Sequence, residues 1–395
     1  MRVALIHDWL TGMRGGERCL EQFLTLFPDA HVYSLFHLPG ATSSLIDEHV
    51  RGTSWLQQLP RIERYYRCLL PLFPLAVRSI NIEPGKYDVV ISLSHAAAKN
   101  VKVPHGTRHI VYLFTPMRYI WDQVQAYFGR CASHILWPIL APLRRWDFNG
   151  STKVDELVSI SRFVSARARC FYRRNSSVIY PPVDTSWIKS PVNLEAVNLE
   201  PSTTKPKQGE AFLFAGALVP YKGAQVVIEA FNTLGLPLWV VGDGPDAKVL
   251  RSVAKKNITF FGRISDNELA EVYGLSRALV FPAIEDFGMI PVEVMAAGRP
   301  VIGVNRGGVA ESVIGVAPGT SPPFNPLTTG VLMPRASLNA KVGRVCVEHL
   351  IVAIRYFIEQ AEGHISTSAC IERSRQFSPE RFFHEWHRML LKEFN

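Results

Sequence analysis

The sequence predicts an α/β protein of two doubly wound parallel sheets, on three observations. Short β-rich apolar runs alternate with longer helix-like segments. The alternation breaks once, in a polar, proline-containing stretch over 189–210, and then resumes. At 395 residues the chain is long enough for about two or three domains. Apolar residues make up 47% and charged residues 19%, which fills large cores and excludes a disordered chain. The net charge of +9 favours an anionic partner and leaves nucleic acid, a sugar nucleotide and an acidic membrane surface open.

The opening run Val3–His7 reads as a buried strand, because His7 and Asp8 arrive before a signal-peptide apolar region can form. A helix over Cys19–Leu26 follows, then strands over Val32–His37, Tyr87–Ser94, His109–Thr115, Leu157–Ser161 and Ser177–Tyr180. Beyond the break, strands over Ala211–Ala215, Pro237–Val241, Ile258–Phe261, Ala278–Phe281 and Pro300–Val304 alternate with helices such as Ala224–Leu234 and Asp266–Leu275. Each half therefore reads as a Rossmann-like domain, with a ligand cleft expected between the two. The tail Pro379–Phe394 reads as an amphipathic helix with Ser378 at its N-cap and Pro379 at its first position. The expected organisation is an N-terminal domain over 1–188, a linker over 189–210, a C-terminal domain over 211–376 and a final helical segment over 377–395.

The apolar stretches Leu69–Val77 and Ile135–Leu143 are too short to span a bilayer and contain proline, so no transmembrane helix is expected. Basic and aromatic residues flank them: Arg61, Arg64, Arg67, Tyr65 and Tyr66 before the first, Arg144, Arg145 and Trp146 after the second. That arrangement suits either a membrane interface or core helices with a solvated basic face. Six cysteines form no C-x-x-C pair and no histidine-containing cluster of the zinc type, which predicts reduced thiols and a cytoplasmic protein.

In open α/β sheets ligands bind beyond the carboxyl ends of the strands, so the strand-to-helix loops carry the candidate site. After Ala278–Phe281 comes Pro282-Ala283-Ile284-Glu285-Asp286-Phe287-Gly288-Met289-Ile290-Pro291-Val292-Glu293. Here Gly288 and Pro291 mark a helix start that sets free backbone N–H groups beside Glu285, suited to an anionic ligand. Glu293, about a turn into the helix, can accept from vicinal hydroxyls such as those of a ribose; the alternative is a helix start with two solvated acids. After Ala211–Ala215, Lys222 lies in Gly216-Ala217-Leu218-Val219-Pro220-Tyr221-Lys222-Gly223, where it can hold a phosphate as a point charge or face solvent. After the first strand, Gly15 and Gly16 in Thr11-Gly12-Met13-Arg14-Gly15-Gly16-Glu17 either admit a phosphate at a helix N-terminus or make a tight turn.

Together these loops resemble the retaining GT-B glycosyltransferases of family 4, and within it the bacterial mannosyltransferases that build polysaccharides. The resemblance extends to Asp88–Lys99, Thr115-Pro116-Met117-Arg118-Tyr119, Ser161-Arg162-Phe163, Pro181-Pro182-Val183-Asp184 and Phe377-Ser378-Pro379-Glu380-Arg381-Phe382. It implies a C-terminal domain that binds a nucleotide-sugar and an N-terminal domain that binds the acceptor. It further implies that Glu285 lies by the donor sugar and Glu293 on the ribose, with the amides of Phe287, Gly288, Met289 and Ile290 near sugar and diphosphate. Lys222 then neutralises the leaving diphosphate, Gly15 and Gly16 cap it, and the final helix crosses back to the N-terminal domain. Many relatives carry an arginine where this chain has Ala217, and Arg263 or Arg14 are the available substitutes, Arg263 more naturally bordering the base through its backbone. Relatives also often have a histidine at the position of Phe114. His95 contacts the donor sugar or is structural, and Arg118 meets an acceptor phosphate or packs along Tyr119 and Trp121.

No Asp-x-Asp occurs, which favours a metal-independent reaction with no cofactor, the nucleotide-sugar being a co-substrate. GDP-mannose is the expected donor by resemblance, and the acceptor a glycan or lipid-linked oligosaccharide in polysaccharide biosynthesis; if the basic, aromatic-flanked stretches are a membrane interface rather than core helices, an anionic membrane surface is a partner and the acceptor is lipid-linked at the cytoplasmic leaflet. A dinucleotide-dependent oxidoreductase is disfavoured: Gly242-Asp243-Gly244-Pro245-Asp246-Ala247 has the glycine pattern, but the ribose-binding acid expected about twenty residues on is absent from Phe260-Phe261-Gly262-Arg263-Ile264. A nucleotide-sugar epimerase, a UDP-sugar transferase and a noncatalytic binding protein remain alternatives, whereas dispersed positive charge and the lack of a recognised module disfavour nucleic acid.

Overall fold

The computed structural model describes residues 1–122, 124, 137–188, 209–337 and 345–391. The chain divides into two compact units, one of residues 1–181 and 383–395, the other of residues 182–382. Most of the 189–210 stretch, and the start of the Ile135–Leu143 stretch, lie outside the described residues.

The first unit holds seven parallel strands: β1 (Val3–His7), β2 (His31–Ser34), β3 (Val50–Thr53), β4 (Val89–Ser94), β5 (Arg108–Leu113), β6 (Glu156–Ser159) and β7 (Ser177–Val178). Their order in the sheet is β3-β2-β1-β4-β5-β6-β7. β1 and β4 are buried along their whole length, as the central strands of a sheet covered on both faces must be. β3, with the sequence Val-Arg-Gly-Thr, escapes a search for apolar runs because it is an edge strand that only one neighbour pairs. The helix predicted from Cys19 begins earlier, at Gly15, and runs to Leu26.

Beside the sheet, the rings of Trp9, Phe36, Tyr66 and Phe73 pack in one cluster, with Trp9 4.8 Å from Tyr66. The stretch from Arg61 to Arg78 is a succession of short helical turns that buries Ile62, Tyr66, Leu70, Phe73, Ala76 and Val77. Its other face leaves Arg61, Arg64, Arg67, Leu72, Leu75 and Arg78 exposed. No helix among the described residues is long and apolar enough to cross a membrane. A buried ion pair joins Lys99 to Asp147, whose second oxygen accepts from Trp121 Nε1 at 2.7 Å and from Tyr172 Oη at 2.8 Å.

The second unit also holds seven parallel strands: β8 (Phe212–Ala215), β9 (Leu238–Val241), β10 (Ile258–Gly262), β11 (Leu279–Phe281), β12 (Val301–Val304), β13 (Gly315–Val316) and β14 (Gly330–Met333). The order is β10-β9-β8-β11-β12-β14-β13. The last two strands were not expected: β13 is only two residues long, and β14 follows the turn-forming run Asn325-Pro326-Leu327-Thr328-Thr329. The helices Ala224–Leu234 and Asp266–Leu275 fall on their predicted residues, the latter capped by Ser265, whose hydroxyl accepts from Glu268 N.

The helix Pro379–Leu391 follows Ser378, whose Oγ accepts from Arg381 N at 3.4 Å. From Phe383 onward it belongs to the first unit, where fully buried Trp386 packs its ring 4.8 Å from Phe23 and 5.4 Å from Tyr112. The end of the predicted helix, beyond Leu391, lies outside the described residues.

Candidate active site

In each sheet the chain builds outward in one direction and then in the other, so each has one point where the loops of two neighbouring strands diverge. Such a switch point is the standard place for a ligand in an open α/β sheet. It falls between β1 and β4 in the first unit and between β8 and β11 in the second.

In the second unit the loops after β8 and β11 bring Lys222 and Glu285 together: Lys222 Nζ donates to Glu285 Oε1 in an ion pair whose side chains are 17% and 21% exposed. Lys222 closes a short helical turn, Pro220–Lys222, before the helix Ala224–Leu234. Gly216 faces Ile290, the position of a Cβ on it lying 3.8 Å from Ile290 Cδ1. The loop after β9 supports this turn from behind: Gly216 N donates to Val241 O at 3.0 Å and Leu218 N to Asp243 O at 3.0 Å. At Gly242 only glycine fits, since a Cβ would stand 2.0 Å from Gly216 O.

The loop after β11 leads through Gly288 into the helix Met289–Ala296. Phe287 is buried with its ring 5.5 Å from that of Phe377, so it offers the loop its backbone rather than its side chain. Met289 and Ile290 are half-buried at the helix start. Glu293, only 5% exposed, receives a hydrogen bond from Tyr273 Oη at 3.0 Å. The loop after β12 underlies Glu285: Gly308 N donates to Glu285 O at 2.9 Å, and a Cβ on Gly308 would meet Phe287 O at 2.1 Å. Arg263 stands apart from this group, 85% exposed at the end of β10 with Nε 4.0 Å from Asp243.

In the first unit Asp8, fully buried at the end of β1, accepts from the backbone N–H groups of His95, Ala96, Ala97 and Ala98 at 2.5 to 2.9 Å. These bonds fix the turn after β4. His95 Nδ1 also lies 3.1 Å from Asp8 Oδ2. Burial holds His95 below the ordinary histidine range against the opposing pull of Asp8, and the Arg118 charge acts in the same direction as burial. His95 is thus neutral near pH 7 and serves as a hydrogen-bonding group. Gly15 opens the first helix, and Gly16 covers the buried His7: a Cβ there would lie 3.2 Å from His7 Nε2. The other ring nitrogen of His7 faces the Trp9 carbonyl at 2.9 Å and so carries the proton. His7 and His95 ring centroids are 5.9 Å apart.

The predicted residues therefore gather in two sets. Lys222, Glu285, Phe287, Gly288, Met289, Ile290 and Glu293 cluster at the second switch point, and Gly15, Gly16 and His95 at the first; Arg118 lies in the loop after β5, where its charge still acts on His95. Sequence reasoning passed over Asp8, Tyr273, Gly308 and its neighbour Gly307, on which a Cβ would stand 2.6 Å from Glu285 O. The glycine pair follows a predicted strand just as Gly15 and Gly16 do, and that pattern is a signal for it; Tyr273 carries none, being one aromatic on a predicted helix.

The solved structure of Anabaena HepE in complex with UDP is similar over 99% of this chain and 100% of that one, with a TM-score of 0.68 and 16% identity. That likeness establishes the fold as GT-B. Residues 198–320, which carry Lys222, Glu285 and Glu293, match the family Glycosyl transferases group 1. Over 107 residues the chain is 38% identical to an uncharacterized glycosyltransferase of Methanocaldococcus jannaschii, covering 26% of this chain and 30% of that protein. Over 103 residues it is 34% identical to O-antigen chain mannosyltransferase C of Escherichia coli, covering 24% of this chain and 28% of that protein. The aligned segments span less than a third of either relative.

Proposed function

We propose that the protein is a retaining, metal-independent family 4 glycosyltransferase that moves a hexose from a nucleotide-sugar, GDP-mannose as first choice, to a glycan or lipid-linked oligosaccharide. The observation that carries this reading is the pairing of Lys222 with Glu285 at the switch point of the second sheet, in the loop that leads into the helix of the buried Glu293. The mannosyl preference draws support from the named activity of the Escherichia coli relative. A UDP-sugar is the second reading, favoured by the UDP bound in the Anabaena structure.

In this mechanism the bond between the sugar's anomeric carbon and the diphosphate oxygen breaks, and a bond to the acceptor hydroxyl oxygen forms on the same face. The acceptor proton passes to the departing phosphate oxygen, so no enzyme nucleophile is required. Lys222 and the amides from Phe287 to Ile290 stabilise the charge that develops on the leaving group, which preorganised donors do at little reorganisation cost. Glu285 orients the donor sugar and stabilises positive charge on it, and Glu293 holds the ribose. Gly15 and Gly16 approach the diphosphate, Arg263 borders the base, His95 contacts the donor sugar, and Arg118 takes an acceptor phosphate.

The exposed face of Arg61, Arg64, Leu72, Leu75 and Arg78 suits an anionic membrane surface, where the apolar side chains enter the interface and the arginines meet headgroups. Flotation with anionic vesicles tests this: the protein should rise with them and Leu75→Asp should weaken the association, whereas no binding to anionic vesicles would count against it.

A donor screen tests the central reading. The purified chain is titrated calorimetrically with GDP-mannose, GDP-fucose, UDP-glucose and UDP-N-acetylglucosamine, and nucleoside-diphosphate release is followed with and without EDTA. Selective, EDTA-insensitive use of GDP-mannose is the expected result. Selectivity for a UDP-sugar would replace the donor, and turnover of a sugar nucleotide without an acceptor would favour the epimerase.

A further inference from the structure

We infer that Tyr273 is a positioning residue for Glu293, setting the orientation of the carboxylate assigned above to the donor's ribose. The inference rests on that assignment. Tyr273 lies on the helix Asp266–Leu275, before β11, whereas Glu293 lies on the helix after it. The phenol hydroxyl donates to Glu293 Oε2 at 3.0 Å, and both side chains are buried, at 1% and 5% exposure.

A carboxylate withdrawn from water must be supplied with donors. A phenol supplies one without adding a charge that would compete for the ligand, and it stays protonated through the neutral range. The donor is also rigidly mounted. The Tyr273 ring packs 6.0 Å from the Trp187 ring, and the backbone next to it is tied by Arg299, whose Nε donates to Gly274 O at 2.8 Å. A hydrogen bond from a ring anchored on a second helix restricts rotation about the last bond of the Glu293 side chain. Recognition of a vicinal diol depends on that rotation, because both hydroxyls must meet the carboxylate in one plane. A small misplacement of a positioning group is enough to forfeit such an interaction.

The test is equilibrium binding of GDP and UDP, each compared with its 2′,3′-dideoxy counterpart, to the full chain and to Tyr273→Phe, Glu293→Gln and the double variant. The readout is the affinity ratio between the ribose and dideoxyribose forms, measured on folded protein, with melting temperature recorded alongside. The intact protein should prefer at least one ribonucleotide by roughly tenfold or more, the scale of a hydrogen bond to a charged group. Glu293→Gln should abolish the preference, Tyr273→Phe should reduce it to about threefold or less, and the double variant should match Glu293→Gln.

If Tyr273→Phe keeps the full ratio while Glu293→Gln loses it, the inference is overturned and the reading of Glu293 stands. A purely structural tyrosine gives that same outcome, with both nucleotide forms weakened alike or the melting temperature lowered. If Glu293→Gln keeps the ratio, or neither nucleotide binds the intact chain, the ribose assignment falls and the inference with it.

Discussion

Lys222 donates to the carboxylate of Glu285, a residue 63 positions further along the chain. Adjacent pairing of β8 and β11 makes this possible, because it sets the loops that follow the two strands side by side. On the proposed function, an arriving diphosphate would compete with Glu285 for the lysine, and the pair would hold each charge in place until then.

Replacing either partner should therefore damage turnover more than folding. Glu285→Gln and Lys222→Met are each expected to lower kcat by about 10² to 10³, the cost of losing one preorganised charge-stabilising group. Steady-state kinetics with the donor identified by screening, together with thermal melting, provide the check. Unchanged turnover in Glu285→Gln would refute its role.

Gly308 touches no substrate in the proposed mechanism, yet it underlies the loop that does. Its added Cβ would stand 2.1 Å from Phe287 O and would push the Glu285 loop outward. Gly308→Ala should reduce donor affinity and kcat together, by about tenfold or more if Glu285 moves by an ångström. Ala310→Gly, two residues on, serves as the control and should leave both near their starting values.

The Lys99 and Asp147 pair is a matter of stability. Both side chains are almost wholly buried, and Asp147 also binds Trp121 and Tyr172. Removing one member of a buried pair leaves the other charge uncompensated, so Asp147→Asn should cost about 3 to 5 kcal/mol. Denaturant unfolding followed by tryptophan fluorescence measures it, and a loss under about 1 kcal/mol would contradict the argument.

His109 makes stability depend on pH. Burial pushes it down to about 4, with Asp155 pulling weakly the other way, and its Nε2 lies 2.8 Å from Ser92 Oγ. Above the ordinary histidine value both folded and unfolded chains carry it neutral, and its full contribution is present. Between about 6.5 and about 4 the unfolded chain takes a proton that the folded chain refuses, so stability falls with pH. Below about 4 both states are protonated and its effect levels off. The loss is on the order of 3 kcal/mol, and His109→Gln should flatten the stability profile over that interval.

Much of this fold is legible in the sequence. The strands β1, β8, β9 and β12 match predicted runs within a residue or so, because a strand buried on both faces needs an unbroken apolar sequence. Edge strands have no such requirement, and β3 and β13 went unseen; β14, buried and paired on both sides, also went unseen, because its four residues follow a run of turn-forming residues. Among the candidate site residues, Lys222, Glu285 and Glu293 stood out through glycine and proline placement in loops that follow strands. Tyr273 and Asp8 did not, since a tyrosine in a helix and an aspartate after a strand are ordinary until their partners are known.

The sequence by itself determined where strands end, where helices begin and which loops carry charge, because those properties arise from short-range sterics, capping and apolar periodicity. Only the tertiary structure decided which of these loops meet. Asp8 reaches amides 87 to 90 residues away, and Tyr273 meets Glu293 from another helix. Such partnerships follow from strand order, in particular from β1 lying beside β4 and β8 beside β11. Strand order is chosen by the packing of whole layers, and no local pattern of residues encodes it.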